Sequence, residues 1–195
     1  MLEGPCDGYR RLRNTLRYLL GNTFDFDPRQ DAVAHKDLPE MERFLLHRLG
    51  RLQAETLLDY ERYEFRGAAR RLVDFCSFDL SSFYLDILKD RLYTFPKADP
   101  ARRAAQTVMA ETLRRLLLLS APILSFTAEE AWRHGPKRWG FAESVFLADL
   151  PLPERMRPPG PSGRSCRGSV SSESRAGPAP SELLVVSGKG TLTCH

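Results

Sequence analysis

Hydrophobic residues recur along the first part of the chain at steps of three and four, the spacing of amphipathic helices. The first series consists of Tyr9, Leu12, Leu16, Leu19 and Leu20. A second set of positions shares another face of the same helix and contains Arg10, Arg13, Asn14 and Arg17. Gly21-Asn22 is typical of a helix end. The pattern therefore predicts a first helix with one apolar face and one basic, polar face.

A long second helix is predicted after a polar connection, with Asp37 placed as its N-cap. Its apolar positions are Leu38, Met41, Leu45, Leu49, Leu52, Leu57, Leu58 and Tyr60. A further stripe at helical spacing consists of Phe65, Ala68, Ala69, Leu72 and Cys76. Both patterns predict helices that bury one face against the rest of the domain.

The segment "FDLSSFYLDILKDRLY", residues 78–93, combines a core-like face with a charged end. An ideal helix places Leu80, Phe83, Tyr84, Ile87 and Leu88 on one face and Asp86, Lys89 and Asp90 opposite. The pattern predicts that Phe83 is buried. It also predicts that Lys89 and Arg91 face solvent at the polar end of the helix.

Two further helix starts are predicted from capping signals. Asp99-Pro100 has an N-cap residue followed by proline at the first helical position. The helix that follows has Ala101, Ala105, Val108, Met109, Leu116 and Leu119 as its apolar stripe and ends before Pro122. "TAEE" at 127–130 has capping-box spacing, which also accounts for the adjacent carboxylates Glu129 and Glu130. Five or six helices with short connections predict an all-α, antiparallel helical bundle.

The composition changes after Pro153, where the chain is rich in Pro, Gly, Ser and Arg and poor in aromatic residues. Such a segment cannot bury enough apolar surface to offset its ordering entropy, so residues 154–195 are predicted to be a disordered tail. Residues 1–153 contain 23 Lys and Arg against 22 Asp and Glu, whereas the tail contains 6 against 3. Most of the net charge of +4 thus lies in the tail. An argument for RNA binding must rest on where individual arginines point.

No catalytic or metal-binding motif is found in the sequence. Cys6, Cys76, Cys166 and Cys194 form no C-x-x-C pair, and the four histidines are scattered. "SGKGT" at 187–191 lacks the first glycine of a phosphate-binding loop. No stretch reaches the roughly 18 apolar residues of a membrane span, and the first residues lack the apolar core of a secretory signal. The sequence predicts a soluble, intracellular protein without catalytic residues or a metal site.

Several blocks of sequence occur in an order and spacing that resemble one family. The blocks are "YRRLRNTLRYLLGNTFDFDP", "YERYEF", "DFCSFDLSSFYLDILKDRLY", "ARRAAQTVMAETLRRLLLLSAPILSFTAEEAW" and "ESVFLADLP". Together they resemble the helical anticodon-binding domain of bacterial or organellar isoleucyl-tRNA synthetase, a class I aminoacyl-tRNA synthetase. The resemblance covers residues 9–153, while residues 1–8 and 154–195 do not resemble the family.

The resemblance implies an RNA-binding role and a set of contact residues. In relatives, RNA contacts resemble a groove between the first helix and the polar end of the helix that carries "KDRLY". The residues expected to bind tRNA are Tyr9, Arg10, Arg13, Asn14, Arg17, Lys89 and Arg91. The expected partner is the anticodon stem-loop of tRNA(Ile). The open alternative for each charged residue is a solvated helix face or an intrahelical ion pair, such as Asp86 with Lys89.

The nucleotide-binding, editing and zinc-binding regions of the related enzymes are not found in this sequence. Aminoacyl-adenylate formation, which uses ATP and Mg²⁺ in the parent enzyme, is therefore not expected from this chain alone, and no cofactor is expected in it. A separately encoded catalytic part is one expected partner, and the cytoplasm or an organelle matrix is the expected location. Two alternatives stay open: a stand-alone helical module that binds RNA or protein, and a non-functional gene fragment whose tail is read out of frame.

Overall fold

The computed structural model describes residues 3–136 and 139–149, with side chains described from Cys6 onward. Within these residues the chain is helical and contains no β-strand. Its α-helices are α1 (Glu3–Asn22), α2 (Glu40–Glu61), α3 (Phe65–Asp74), α4 (Leu85–Thr94), α5 (Pro100–Ser120) and α6 (Ser125–Arg133). A π-helical segment, Phe75–Tyr84, joins α3 to α4, and short 3-10 helices span His35–Asp37 and Val145–Leu147. The predicted all-α bundle is confirmed.

The centre of the bundle is α5, which packs against α1, α2, α3, α4 and α6. Its small and aliphatic side chains, such as Ala105, Val108 and Leu116, are completely buried. The helix begins as predicted, because the Asp99 carboxylate accepts hydrogen bonds from the N–H groups of Ala101 (2.8 Å) and Arg102 (3.3 Å). This central helix fixes the positions of α1 and α4, which carry the predicted RNA-binding residues.

The predicted N-cap of α2 is wrong. Asp37 lies in the 3-10 helix, and α2 begins only at Glu40, after Pro39. The cause is Pro39, because a proline disfavours helical backbone angles in the residue before it. Leu38 accordingly has an extended backbone, with φ −71° and ψ 137°.

The predicted capping box of the last helix is also wrong. The helix α6 begins at Ser125, so Thr127 lies inside it. Glu129 has partners in another part of the chain, since its Oε2 accepts hydrogen bonds from the Val145 N–H and the Ser144 hydroxyl, both at 2.9 Å. The Val145 N–H, the Ser144 hydroxyl and Arg133 lower the pKa of Glu129 despite the opposing effect of desolvation. Glu129 therefore attaches the 3-10 helix Val145–Leu147 to α6.

The π-helical segment explains why the predicted burial of Phe83 is wrong. Phe83 and Ile87 are 47% and 46% exposed, whereas Leu80, Tyr84 and Leu88 are completely buried. Hydrogen bonds from residue i to i+5 widen a π-helix beyond 3.6 residues per turn. A pattern drawn for an α-helix therefore assigns the wrong face to some residues. The Phe83 ring packs edge-on against the ring of Phe44 on α2, with 6.3 Å between ring centroids.

A buried polar cluster attaches the connection after α1 to the first turns of α5. Asp25 Oδ2 accepts a hydrogen bond from Arg102 Nη1 (2.9 Å), and Asp25 Oδ1 accepts one from Gln106 Nε2 (2.7 Å). Burial alone would raise the pKa of Asp25, but the hydrogen bonds and charges of Arg102, Gln106 and Arg103 lower it overall. The cluster helps to fix the C-terminal end of α1 against the central helix.

Some predictions concern residues outside the described part of the chain. The predicted disordered tail, residues 154–195, lies there, and the domain boundaries at residues 8 and 153 stay predictions. Helix α1 begins at Glu3, several residues before the first position of the predicted apolar pattern. In the described residues, no helix is both long and apolar enough to span a membrane.

Candidate nucleic-acid interface

The polar face of α1 is the ridge of the candidate interface. Leu12, Leu16 and Leu19 are buried on its other side and fix the rotation of the helix about its axis. As a result, Arg10, Arg13, Asn14 and Arg17 are all exposed to solvent. The sequence prediction that these four residues share a polar face is confirmed.

A groove on one side of this ridge, here called the α1–α4 groove, lies between α1, the π-helical segment and the start of α4. Its volume is about 450 Å³. Its lining residues are Arg11, Asn14, Thr15, Tyr18, Ser77, Ser81, Ser82, Leu85, Asp86 and Lys89. The fold thus brings Asn14 and Lys89, which are far apart in sequence, to the same groove, as the resemblance implied.

A second groove, here called the α1–α6 groove, runs along the other side of the ridge. Arg13 and Arg17 line it together with Glu130 of α6 and His134, the residue that follows α6. Asn14 lines both grooves. A ligand that follows the ridge can therefore contact the arginines on one side and the α1–α4 groove on the other.

The positively charged side chains of this surface differ in whether they form an ion pair with a neighbouring residue. Among the described residues, Arg13 and Arg17 have no hydrogen-bond or ion-pair partner for their side chains. Lys89 Nζ lies 2.7 Å from Asp86 Oδ1, and this hydrogen bond raises the pKa of Lys89. The pair is the intrahelical alternative considered from the sequence. Exposed ion pairs contribute little to stability, so Lys89 can exchange Asp86 for another anion.

Arg91 lies in a different environment from the one predicted. It does not line the α1–α4 groove, and its side chain is only 31% exposed. Its Nη1 donates a hydrogen bond of 2.9 Å to Oε1 of Glu42, a completely buried carboxylate on α2. The prediction of a solvent-facing Arg91 is therefore wrong, because a buried carboxylate requires a cation beside it. Arg91 attaches α4 to α2 and helps to position the groove wall.

The two remaining predicted residues lie near the N-terminal end of the ridge. Arg10 forms an exposed ion pair with Asp7, at 3.2 Å between Nη1 and Oδ1. Tyr9 is 41% exposed, and its hydroxyl lies 3.1 Å from the Thr127 hydroxyl of α6. Its ring lines a third, more apolar groove with Arg66 and Val73 of α3. Neither residue lines the α1–α4 groove.

Sequence reasoning missed Arg11, Ser77, Ser81 and Ser82 as groove residues. Arg11 does not belong to the apolar series of α1, so its polar position could have been predicted from the sequence. Its Nη1 donates a 3.4 Å hydrogen bond to Ser77 Oγ. The serines could not be predicted as groove residues because their position depends on the π-helical conformation of residues 75–84. A hydrophobic pattern with 3.6 residues per turn does not indicate a π-helix.

Side chains that could bind a metal ion are not clustered in the described residues. These residues contain no group of three or more His, Cys, Asp or Glu side chains that could hold a metal ion. Within the part of the chain that the structure describes, Cys6 and Cys76 form no disulfide, and burial raises the pKa of Cys76 to about 12. A thiol with this pKa is not a reactive nucleophile near neutral pH.

An all-α bundle with exposed arginines along a polar groove defines a helical domain with a surface suited to nucleic acid. Residues 42–162 match the family described as the anticodon-binding domain of tRNA ligase, and the chain belongs to this family. This agrees with the resemblance identified from the sequence blocks.

The curated relatives give the same result. The chain is 54% identical over 133 residues to an isoleucine–tRNA ligase of Bordetella petrii, which covers 68% of this chain and 14% of the relative. It is 47% identical over 145 residues to an isoleucine–tRNA ligase of Moorella thermoacetica, covering 74% of this chain and 16% of the relative. The chain thus matches only about one-seventh of the length of these relatives.

Proposed function

We propose that the protein binds the anticodon stem-loop of tRNA(Ile) along the ridge of α1. The observation that supports this most directly is the meeting of Asn14 and Lys89 in the α1–α4 groove, beside Arg13 and Arg17, whose side chains have no partner among the described residues. The chain belongs to an anticodon-binding family, and relatives named isoleucine–tRNA ligase suggest the tRNA.

Each residue type suits a different part of a nucleic acid. Anticodon loops are single-stranded and offer unstacked bases, which are the usual targets of sequence-specific RNA recognition. In this proposal Asn14 binds the edge of an adenine, a pairing that asparagine geometry favours. Arg13, Arg17 and Lys89 bind phosphate oxygens, with Arg10 and Tyr9 extending the contact toward the start of α1. Arg91 acts through its effect on the position of α4.

We propose that this chain does not itself carry out the aminoacylation reaction. Attachment of isoleucine with ATP and Mg²⁺ is assigned to a separately encoded catalytic polypeptide, and this chain contributes recognition of the tRNA. The proposed location is the compartment where the tRNA is charged, the cytoplasm or an organelle matrix. The curated relatives are about seven times longer than their match to this chain, so the catalytic activity that their names describe is proposed for residues outside the matched part.

A gel-shift titration at low salt tests the proposal. The full chain should bind a stem-loop with the anticodon GAU more tightly than one with a mismatched anticodon. Arg13→Ala and Arg17→Ala should each weaken binding, and each should reduce the slope of log K against log salt by about 0.7 for a lost single-strand phosphate contact. Equal binding of the two stem-loops would contradict the proposal.

Two arginines serve as matched controls. Arg43 is exposed on α2 and, among the described residues, has no side-chain partner and lines neither groove. Arg43→Ala should leave both affinity and slope unchanged. Arg164→Ala, in the basic tail, should weaken the binding of both stem-loops alike. If Arg43→Ala weakened binding and reduced the salt slope as much as Arg13→Ala, the ridge of α1 would not be the binding surface.

A further inference from the structure

Two serines of the π-helical segment have an unusual hydrogen-bonding arrangement. The Ser81 hydroxyl donates to the Cys76 carbonyl oxygen at 2.7 Å, and the Ser82 hydroxyl donates to the Ser77 carbonyl oxygen at 2.8 Å. Each bond reaches back five residues, which is the spacing of the π-helix itself. Both serines line the α1–α4 groove and are exposed to solvent.

These bonds determine what the serines can offer to a ligand. A serine hydroxyl has a single hydrogen and two acceptor lone pairs. In Ser81 and Ser82 the hydrogen is already donated within the segment, so their oxygens can act toward a ligand in the groove only as acceptors. The π-helical wall therefore provides two neutral oxygen acceptors from consecutive residues.

The other groups of the groove complete a hydrogen-bonding pattern. Asn14, on the opposite wall, carries both an acceptor oxygen and an amide donor, and Lys89 is a cation at the edge. An asparagine pairs with adenine through N6 and N7, which uses only one of the two hydrogens of the adenine amino group. The second amino hydrogen still requires an acceptor on the other side.

We propose that the Ser81–Ser82 pair accepts this second hydrogen and that the groove selects an adenine through its exocyclic amino group. The inference rests on the proposed function, since it names the base that the α1–α4 groove receives. Uracil presents a carbonyl oxygen at the corresponding position, which faces the serine lone pairs without a hydrogen between them. The serines thus act as specificity residues, whereas the arginines of the ridge contribute affinity for any sequence.

The test combines a change in the RNA with a change in the protein. Purine riboside, which lacks the amino group, replaces the adenine of the GAU triplet in the stem-loop. The unmodified chain should bind this stem-loop at least about tenfold more weakly than the adenine form, because the hydrogen bonds of the amino group to Asn14 and to the serines are both lost. The double variant Ser81→Ala/Ser82→Ala should bind the adenine form more weakly and show a smaller difference between the two stem-loops, with the remaining difference due to the contact of the amino group with Asn14.

A matched serine controls for the loss of a back-bonded hydroxyl. Ser125 donates a 3.0 Å hydrogen bond to the Ala121 carbonyl and lies outside the α1–α4 groove. Ser125→Ala should keep the full difference between adenine and purine riboside. Circular dichroism reports whether the double variant is folded, and the purine riboside measurement on the unmodified chain does not depend on that variant.

The outcomes separate the inference from the function on which it rests. Equal affinity of the unmodified chain for the adenine and purine riboside stem-loops would overturn the inference. An unchanged difference in the folded double variant would also overturn it. In both cases, preference for GAU over a mismatched anticodon would leave the proposed function standing. Equal binding of the GAU and the mismatched stem-loop by the unmodified chain would contradict the proposed function instead.

Discussion

The ion pair between Arg91 and Glu42 is expected to affect stability more than the exposed charges of the ridge do, because the Glu42 carboxylate is buried. The Glu42 carboxylate is completely buried, and its Oε2 has no hydrogen-bond partner among the described residues, so its principal stabilising contact there is the guanidinium of Arg91. The nearby Tyr84 hydroxyl is also buried, and burial together with the charge of Glu42 raises the pKa of Tyr84 well above its usual value. Removal of Arg91 would leave an uncompensated carboxylate in the core.

Arg91→Ala is therefore expected to destabilise the fold by about 3–5 kcal/mol, the usual cost of removing one partner of a buried ion pair. The measurement is urea denaturation followed by circular dichroism. Lys89→Ala is the control on the same helix, since its ion pair with Asp86 is exposed, and it should leave stability unchanged. Similar losses in both variants would contradict a structural role specific to Arg91.

Phe83 and Leu80 provide a second test at the scale of single residues. Leu80 is completely buried in the π-helical segment, whereas Phe83 is about half exposed and packs edge-on against Phe44. Leu80→Ala should cost about 2–5 kcal/mol, and Phe83→Ala should cost about 1 kcal/mol, mainly from the lost ring contact. Urea denaturation of the two variants compares them directly. A larger loss of stability for Phe83→Ala than for Leu80→Ala would support the buried position of Phe83 that was predicted from the sequence.

Helix starts show how one residue type acts differently in two elements. Asp99 caps α5 with its side chain, while Asp37 lies in a 3-10 helix and Pro39 separates it from α2. Asp99→Ala should cost about 1 kcal/mol, which lowers the melting temperature by about 2–4 °C for a chain of this size. Asp37→Ala should leave the melting temperature unchanged. A drop of similar size in both variants, measured by calorimetry, would mean that Asp37 also caps a helix.

The Asp25 cluster predicts how the attachment of α1 to α5 depends on pH. The pKa of Asp25 is lower in the folded chain than its ordinary value of 3.8, so its carboxylate stabilises the fold above that pH. This contribution is lost as the pH falls through the folded pKa, because the protonated group no longer pairs with Arg102. The free-energy difference between the unmodified chain and Asp25→Asn should thus be largest near neutral pH and shrink below about pH 4.

Urea titrations at several pH values measure this difference. Asp86→Asn is a suitable control because Asp86 pairs with Lys89 only at the surface. Its effect on stability should stay small at every pH. A stability difference for Asp25→Asn that does not change between pH 7 and pH 3 would contradict the assigned role of the cluster.

At the scale of the whole molecule, the described helices and the sequence after Pro153 differ in their capacity to form a core. Limited proteolysis is expected to leave a resistant fragment that ends near Pro153, because residues 154–195 are rich in Pro, Gly, Ser and Arg and contain no aromatic residue that could anchor a protected core. Mass spectrometry of the fragments locates the cleavage sites. Cleavage spread evenly along α1 to α6 would contradict the bundle as a stable unit.

Much of the candidate site could be predicted from the sequence, and the reasons for the exceptions are specific. The exposed face of α1 follows from Leu12, Leu16 and Leu19, because in a regular α-helix their spacing in sequence determines which side of the helix they occupy. Asn14 and Lys89 were assigned to one groove through the family resemblance. Arg91 was placed incorrectly, since the sequence does not show that Glu42 lies buried beside it.

The sequence by itself determined the all-α class, the family and the polar ridge of α1, since these depend on local periodicity and on ordered blocks of residues. Only the tertiary structure decided which charges pair, which faces of residues 75–94 are buried, and which serines line the groove. The physical reason is that ion pairs, desolvation and the π-helical register depend on groups that are distant in sequence or on a non-standard hydrogen-bond spacing. A pattern with 3.6 residues per turn contains neither kind of information.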